Sequence, residues 1–341
     1  MLDQVLNAFQ LKPDFYLDLM REDQSLSDLT ARGMTLLQRI LAEEQPDVVL
    51  VQGDTTTALV GSLAAYYSRI PVGHIEAGLR TQDKYAPFPE EGNRRIVDVL
   101  SDILFAPTEA ARGNLVREGH PTERIFVTGN TVVDSLLWFR GLQSSPAASA
   151  ALERRLWETH GITLAASRKV VLVTGHRRES FGQAIESICC GLRLIAERNR
   201  DLLIVYPVHL NPHVRGPVIR SLGSVPNVVL TPPLDYELFT FLMAHSYLIL
   251  TDSGGIQEEA PTLGIPVLVM RDTTERPEAV AAGVAKLVGT NAIQIADEAQ
   301  LLLSSQEAYS AMRCCANPFG DGRAAERVVR ILTEWGMSSV V

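Results

Sequence analysis

The fold of this chain is decided by the stretch DSGGIQEE at residues 252–259, which follows the apolar run 247–250. An aliphatic run that ends in Asp-Ser-Gly-Gly and then takes on helical spacing predicts a strand, a tight glycine turn and a helix start. Free backbone N–H groups and the positive end of the helix dipole meet there, which favours a bound phosphate. One of the two glutamates in the first helical turn can accept both hydroxyls of a ribose. A plain turn, with glutamates that only complement the dipole, explains the same pattern.

Apolar runs of strand length recur along all 341 residues, and helix-like segments follow them. Most of these runs are continuously apolar, which is typical of strands buried on both faces of a parallel sheet. The alternation predicts an α/β fold of two doubly wound, Rossmann-like domains. The predicted strands are 47–52, 71–76, 103–106, 125–128, 169–174, 202–208, 228–231, 247–251, 266–270 and 285–288.

The two halves of the chain differ, with four predicted strands in the first and six in the second. The chain also begins with a helix-like segment, where a doubly wound domain normally begins with a strand. We therefore expect the first domain to lack its leading strand. Helices are predicted at 25–44, where Ser25 and Asp28 can form a capping box, and at 322–335 near the C-terminus.

Composition narrows the possible functions. Hydrophobic residues make up 46% of the chain and charged residues 21%, as in a folded globular protein. The net charge of −9 argues against nucleic acid or an anionic membrane as the main partner. The sequence shows neither an apolar stretch of membrane-spanning length nor a signal-peptide pattern. The four cysteines form two adjacent pairs, a poor framework for disulfides or zinc, so we expect a cytoplasmic protein.

Three carboxylates follow strand ends or an adjoining loop in the first half, where ligands bind in doubly wound folds. They are Asp54, Glu76 and Glu90. Carboxylates that share a cleft push each other's pKa values apart, which can provide an acid and a base. Structural roles are open for each of them: Asp54 as a helix N-cap, Glu76 as a partner of Arg80, and Glu90 with Glu91 as a first-turn pair.

Two further loops in the second half follow predicted strands. The loop 174–182 carries His176 and two arginines, which suit contact with a phosphate or sugar. The loop 271–278 can close over a sugar, or its arginines and glutamates can simply pair with each other. His209 and His213 are four apart, but a proline between them argues against a metal-binding helix. The sequence has no dinucleotide fingerprint, Walker loop or nucleophile elbow, which counts against NAD binding, ATP hydrolysis and α/β-hydrolase chemistry.

Taken in order, these motifs resemble those of the non-hydrolysing UDP-N-acetylglucosamine 2-epimerases. The resemblance covers nearly the whole chain and implies a glycosyltransferase-B type fold with its active site in the cleft between the domains. It also implies interconversion of UDP-N-acetylglucosamine and UDP-N-acetylmannosamine for surface polysaccharides, a homodimer, and neither cofactor nor metal. The matching segments are GDTTT 53–57, HIEAGLR 74–80, PEEGNR 89–94, TGHRRE 174–179, TDSGGIQEEAP 251–261 and RDTTERP 271–277.

The resemblance assigns roles to individual positions. One position departs from the family, because Leu234 stands where a glutamine is expected near the uracil. The expected domains are 1–132 with 320–341, which carries the carboxylates, and 133–319, which binds UDP. Catalytic roles are implied for Asp54, Glu76, Glu90 and the cleft histidine His176. Substrate-binding roles are implied for Ser253, Gly254, Gly255 and Glu259 in the nucleotide turn, Phe239 beside uracil and Arg276 on the substrate.

The family's reaction removes the C2 proton as UDP leaves C1, and then returns both groups with the proton on the other face. Two faces require two proton-handling groups, which the carboxylates and the histidine can provide. The family also begins with a strand and a Gly-Thr-Arg-Pro-Glu loop that this sequence lacks, so we expect an N-terminal truncation relative to the family. Alternatives are an inactive UDP-sugar-binding homologue, a glycosyltransferase-B type transferase and a hydrolysing 2-epimerase.

Overall fold

The computed structural model describes residues 2–21, 23–165, 167–175 and 182–338, and these residues form two parallel β-sheets flanked by helices. All ten predicted strands are present, and the predicted α/β class is confirmed. The strands are β1 Val49–Gln52, β2 Val72–Ile75, β3 Ile103–Ala106, β4 Ile125–Val127, β5 Val170–Thr174, β6 Leu203–Pro207, β7 Val228–Thr231, β8 Leu248–Thr251, β9 Val267–Val269 and β10 Ala285–Leu287.

Helices fill most of the connections between the strands, because parallel strands need long crossover connections. Over the described parts of the chain, no helix is both long and apolar enough to cross a membrane. The helices are α1 Leu2–Ala8, α2 Leu26–Glu44, α3 Thr56–Tyr67, α4 Glu90–Leu100, α5 Glu109–Arg117, α6 Thr131–Gln143, α7 Pro146–His160, α8 Gln183–Arg198, α9 Pro212–Leu222, α10 Tyr236–Ala244, α11 Ile256–Thr262, α12 Pro277–Ala281, α13 Ala292–Ser304, α14 Gln306–Arg313 and α15 Ala324–Ser338.

The chain divides into two compact units. The four-strand unit consists of Pro13–Asp134 and Phe319–Val341, and the six-strand unit consists of Met1–Lys12 and Ser135–Pro318. Residues 1–12 were expected in the first domain, but they belong to the six-strand unit. The reason is aromatic packing, since Phe9 stacks on Trp138 with ring centroids 5.1 Å apart.

The four-strand unit has the strand order β1-β2-β3-β4. Its strands are short and largely apolar, and β3 is buried along its whole length because helices cover both of its faces. The predicted capping box is confirmed, since the Ser25 hydroxyl accepts from the Asp28 N–H and the Asp28 carboxylate accepts from the Ser25 N–H. This capping stabilises the start of α2, which packs beside α3.

The six-strand unit has the order β10-β9-β8-β5-β6-β7. The chain moves outward from β5 through β6 to β7, and on the other side from β8 through β9 to β10. The direction therefore reverses between β5 and β8, and ligands of doubly wound folds bind at such a switch point. The last residues of these two strands, Thr174 and Thr251, are register partners whose hydroxyl oxygens lie 2.6 Å apart.

Candidate active site

Asp54 lies directly beyond the carboxyl end of β1, and its side chain does not cap the helix that follows. Thr55 is the N-cap of α3, because its hydroxyl accepts a hydrogen bond from the Ala58 N–H at 3.2 Å. The Asp54 carboxylate instead forms an ion pair with the guanidinium of Arg94. The Asn93 amide also donates to the Asp54 carbonyl at 2.9 Å. The carboxylate is therefore oriented from α4 and remains partly accessible.

Glu76 follows β2 with a left-handed backbone, φ +73°. Its carboxylate lies against Gly53, since a Cβ placed on that glycine would be 3.3 Å from Glu76 Oε2. Because Gly53 directly precedes Asp54, the ends of β1 and β2 bring these two carboxylate-bearing residues together. The Asn130 amide donates to Glu76 Oε1 at 3.4 Å.

Arg80 does not serve as the structural partner that the sequence suggested for Glu76. Its guanidinium lies 2.7 Å from Asp98 Oδ2 and also pairs with Glu118. Burial by itself would lower the pKa of Arg80, but the Glu118 hydrogen bonds and the Asp98 charge raise it above its ordinary value. The Arg80 guanidinium correspondingly holds the pKa of Glu118 below its usual range.

Glu90 and Glu91 begin α4, but they have different surroundings. Glu91 is fully buried, pairs with Arg94 at 3.0 Å and with Arg95 at 2.9 Å, and accepts from the Thr81 N–H. Glu90 is half-buried at the start of the helix. Arg94 bridges Glu91 to Asp54 and so links the first turn of α4 to the end of β1. Sequence reasoning missed this bridge, although Arg94 lies within the matching motif.

The glycine turn lies where the sequence predicts it, between β8 and α11. The Ser253 N–H donates to the Thr251 hydroxyl at 2.9 Å, and the Gln257 amide donates to the Ser253 carbonyl at 3.0 Å. In the described part of the chain, the N–H groups of Gly254 and Gly255 have no backbone partner. Backbone donors at a helix start are suited to an anionic oxygen.

The two glutamates of this turn are also distinct. Glu258 pairs with Arg276, so the loop arginine is held from α11. Glu259 is 8% exposed, and burial raises its pKa to about 7, against a smaller lowering effect of the hydrogen bond with Tyr236. Tyr236 gave no sequence signal as a site residue. In the loop 271–278, Arg271 pairs with Glu275 at 2.8 Å. This agrees with the alternative that the arginines and glutamates of this loop pair with each other.

A cavity of about 210 Å³ lies at the carboxyl ends of β5, β6 and β8. It places Phe239 of α10 in the same depression as Ser253, and Leu234 contributes an aliphatic wall. Such a mainly apolar depression with a few polar groups is typical of a site for a planar ring. Its lining residues are Thr174, Gly175, Pro207, His209, Pro233, Leu234, Phe239, Ser253 and Ile256.

The histidines singled out in the sequence lie in two different places. His176 lies outside the described residues, so its role stays a prediction. His209 accepts a hydrogen bond from the Asn211 N–H at 3.1 Å, and the Asn211 side chain in turn accepts from the N–H of His213. The described residues contain no group of three or more potential metal ligands.

Comparison with known proteins shows the same similarity over nearly the whole chain. A family model described as UDP-N-acetylglucosamine 2-epimerase matches residues 1–333. The UDP-N-acetylglucosamine 2-epimerase of Salmonella typhimurium is 54% identical over 338 residues, which cover 99% of this chain and 89% of that protein. The protein of the same name from Escherichia coli K12 is 54% identical over 332 residues, 97% of this chain and 87% of that protein.

Solved structures agree with the sequence matches. The UDP-GlcNAc 2-epimerase from Neisseria meningitidis bound to UDP-GlcNAc has a TM-score of 0.93 at 46% identity, over 98% of this chain and 88% of that one. The Methanocaldococcus jannaschii UDP-GlcNAc 2-epimerase in complex with UDP-GlcNAc and UDP has a TM-score of 0.82 at 34% identity, over 97% of this chain and 88% of that one. The expected N-terminal truncation is not borne out by the 99% coverage of this chain.

Proposed function

The chain belongs to the UDP-N-acetylglucosamine 2-epimerase family, and from this membership we propose that it interconverts UDP-N-acetylglucosamine and UDP-N-acetylmannosamine. The observation that supports this most is the position of the Glu76 carboxylate against Gly53, the residue directly before Asp54, where β1 and β2 end. The matched relatives are named 2-epimerases, so a transferase and an inactive sugar-nucleotide binder are not favoured.

The proposed reaction proceeds by elimination and re-addition. A base takes the C2 proton, the C–H electrons form a C1=C2 double bond, and UDP leaves C1 with the electrons of the C1–O bond. The proton then returns to the opposite face of C2, and UDP adds again at C1. Asp54, Glu76 and Glu90 are the proposed proton-handling groups, with His176 as a fourth. Arg94 orients Asp54 through their ion pair.

The six-strand unit is proposed to hold the UDP. The N–H groups of Gly254 and Gly255, with Ser253, are placed to stabilise the charge that develops on the departing diphosphate. Glu259 is suited to accept the ribose hydroxyls, because hydrogen bonds from these hydroxyls favour its ionised form. Phe239 provides a face for the uracil within the 210 Å³ cavity.

Arg276 is the proposed contact for the sugar or the diphosphate. Its guanidinium is prepositioned by Glu258, so little side-chain freedom is lost when substrate binds. Three wider expectations belong to the same proposal: a homodimer, a cytoplasmic location, and a role in surface polysaccharide synthesis. The four free cysteines are consistent with a reducing compartment.

The reaction is tested by incubation with UDP-N-acetylglucosamine alone in D₂O. We expect UDP-N-acetylmannosamine to appear, with deuterium at C2 of both sugars, because the removed proton exchanges with solvent. Release of free N-acetylmannosamine would indicate hydrolysis instead, and no change without an acceptor would indicate a transferase. Asp54→Asn should slow deuterium incorporation, and Asp297→Asn, which alters an exposed ion pair with Arg198, should not.

A further inference from the structure

His74 is a fully buried histidine beside the proposed site, and the reaction described above does not use it. It lies on β2, two residues before Glu76, and its side chain is 0% exposed. Its Nδ1 lies 2.6 Å from Asp98 Oδ1, and its Nε2 lies 2.9 Å from the carbonyl oxygen of Gly53. Both ring nitrogens are therefore within hydrogen-bonding distance of an oxygen.

Both of these oxygens are acceptors. A backbone carbonyl can only accept, so His74 Nε2 must carry a proton. The carboxylate of Asp98 also accepts from Arg80 Nη2 at 2.7 Å and from the Gly78 N–H at 3.3 Å, as an ionised group does. Burial alone would raise the pKa of Asp98, but its contacts with His74 and Arg80 hold it below the ordinary value. An ionised Asp98 requires a proton on His74 Nδ1 as well.

We propose that His74 is held as a doubly protonated imidazolium and acts as a positioning residue for Asp54 through the Gly53 carbonyl. The positioning role rests on the function proposed above, whereas the protonation state does not. On one side the ring faces Asp98 and, beyond it, Arg80 and Glu118, and on the other side the Glu76 carboxylate lies against Gly53. Asp98, Arg80 and the partly exposed Glu118 form one chain of ion pairs with two anions and one cation, so a charged His74 makes this paired set neutral. An uncompensated buried charge would be far more costly.

Gly53 carries the effect from the histidine to the catalytic carboxylate. Its N–H donates to the Ile75 carbonyl at 3.0 Å and its carbonyl faces His74 Nε2, so the peptide groups on both sides of Gly53 are held, including the one it shares with Asp54. Its φ of +69° is a left-handed conformation that favours glycine. A neutral ring protonated only on Nδ1 would present a lone pair to the Gly53 carbonyl. The resulting repulsion would displace this peptide and, with it, the neighbouring Asp54.

The protonation state is tested by NMR of the full chain labelled with ¹⁵N-histidine. Spectra are recorded at pH 8, where a histidine with the ordinary pKa of about 6.5 is neutral. We expect one histidine whose two ring nitrogens both have the ¹⁵N chemical shifts of an imidazolium. These signals should be absent from the spectrum of His74→Gln. Signals of a neutral tautomer for His74 at pH 8 would overturn the proposal. This measurement needs no enzymatic activity, so it stands even if the epimerase assay fails.

The positioning role is tested by kinetics of His74→Gln, whose amide can donate one hydrogen bond but carries no charge. Misplacement of a reacting group costs on the order of 100-fold, so we expect kcat and C2 deuterium exchange to fall by about that factor. KM and the affinity for UDP should change by less than about threefold, since these report on binding. His245→Gln is the matched control, because that histidine also contacts a backbone carbonyl, Phe241 O at 2.8 Å, but in the six-strand unit.

Each outcome bears on the proposal. Unchanged kcat in His74→Gln would contradict the positioning role, and an equal loss of UDP affinity would point to general unfolding instead. If the variant does not fold, the wild-type NMR spectrum still decides the protonation state, because a spectrum in which every histidine is neutral at pH 8 would overturn the proposal. A wild-type protein with an imidazolium signal but no deuterium exchange would contradict the epimerase function alone.

Discussion

Glu258 and Glu259 are neighbours in α11, yet they lie in different surroundings. Glu258 pairs with Arg276, whereas Glu259 is buried beside Tyr236 with a pKa raised to about 7. Successive residues of a helix point about a quarter-turn apart, so two adjacent carboxylates reach different neighbours. The same separation occurs in α4, where Glu91 is buried and doubly paired and Glu90 begins the helix.

Glu259 should make stability depend on pH. Its folded-state pKa of about 7 lies above the ordinary 4.5, so its protonated form stabilises the fold below about pH 4.5, and this contribution is lost as pH rises through 7. Relative to Glu259→Gln, the wild-type protein should lose about 3 kcal/mol of unfolding free energy between pH 4.5 and pH 8. Urea denaturation at several pH values measures this difference.

The control for this prediction is Glu43→Gln, on an exposed position of α2. Its difference from wild type should stay within about 0.5 kcal/mol over the same pH range, because exposed substitutions have small effects. A pH dependence of Glu259→Gln that matches that of wild type would show that this carboxyl ionises normally in the fold.

At the scale of elements, the close approach of α8 to the start of α13 shapes the six-strand unit. A Cβ on Gly191 would lie 2.9 Å from the Ala292 carbonyl oxygen and 3.2 Å from the Ala292 Cα. These are backbone atoms, which cannot move aside as a flexible side chain can. Helix α8 is amphipathic and buries Ile188, Leu192 and Ile195 against the sheet, so it cannot shift outward without exposing them.

Gly191→Ala is therefore expected to destabilise the protein by about 1–3 kcal/mol, as overpacked core substitutions do. The matched control is Gly141→Ala in α6, where an added Cβ would meet nothing within 4 Å. That control should be neutral or stabilising by up to about 1 kcal/mol, since alanine restricts the unfolded chain. Thermal or urea unfolding of both variants gives the comparison, and equal stability of the two would contradict the packing argument.

At the scale of the whole molecule, the proposed chemistry is divided between the two units. The carboxylates Asp54, Glu76 and Glu90 belong to the four-strand unit, and the glycine turn and the Phe239 cavity belong to the six-strand unit. Each unit has its own parallel sheet and its own buried core. Proton transfer and nucleotide binding should therefore respond to separate sets of substitutions.

Asp54→Asn is expected to lower kcat by about 10²–10⁴-fold, the usual range for a general acid or base. Its affinity for UDP, measured by calorimetry, should stay within about twofold of wild type, because the residues proposed to bind UDP belong to the other unit. Phe239→Ala should do the reverse and weaken UDP binding by about 10-fold, since base–aromatic stacking is worth about 1–3 kcal/mol. Loss of UDP affinity in Asp54→Asn comparable to that in Phe239→Ala would contradict this division.

The sequence alone was sufficient to predict the strands and the places where chemistry is concentrated. All ten strands follow from continuous apolar runs, because strands buried on both faces leave no room for alternating polar residues. The turn at 252–255 and the carboxylates after β1 and β2 were predicted for a related reason: short-range patterns identify strand ends, where doubly wound folds bind ligands.

Only the tertiary structure decided which of these groups are held in place and by what. Arg94 reaches Asp54 across 40 positions of sequence, and His74 pairs with Asp98 across 24. Such contacts depend on the phase of each helix against its sheet and on which side chains become buried. Local periodicity does not encode that pairing. A buried polar or charged side chain must have a hydrogen-bonding or charged partner, but the sequence pattern does not specify which distant residue provides it.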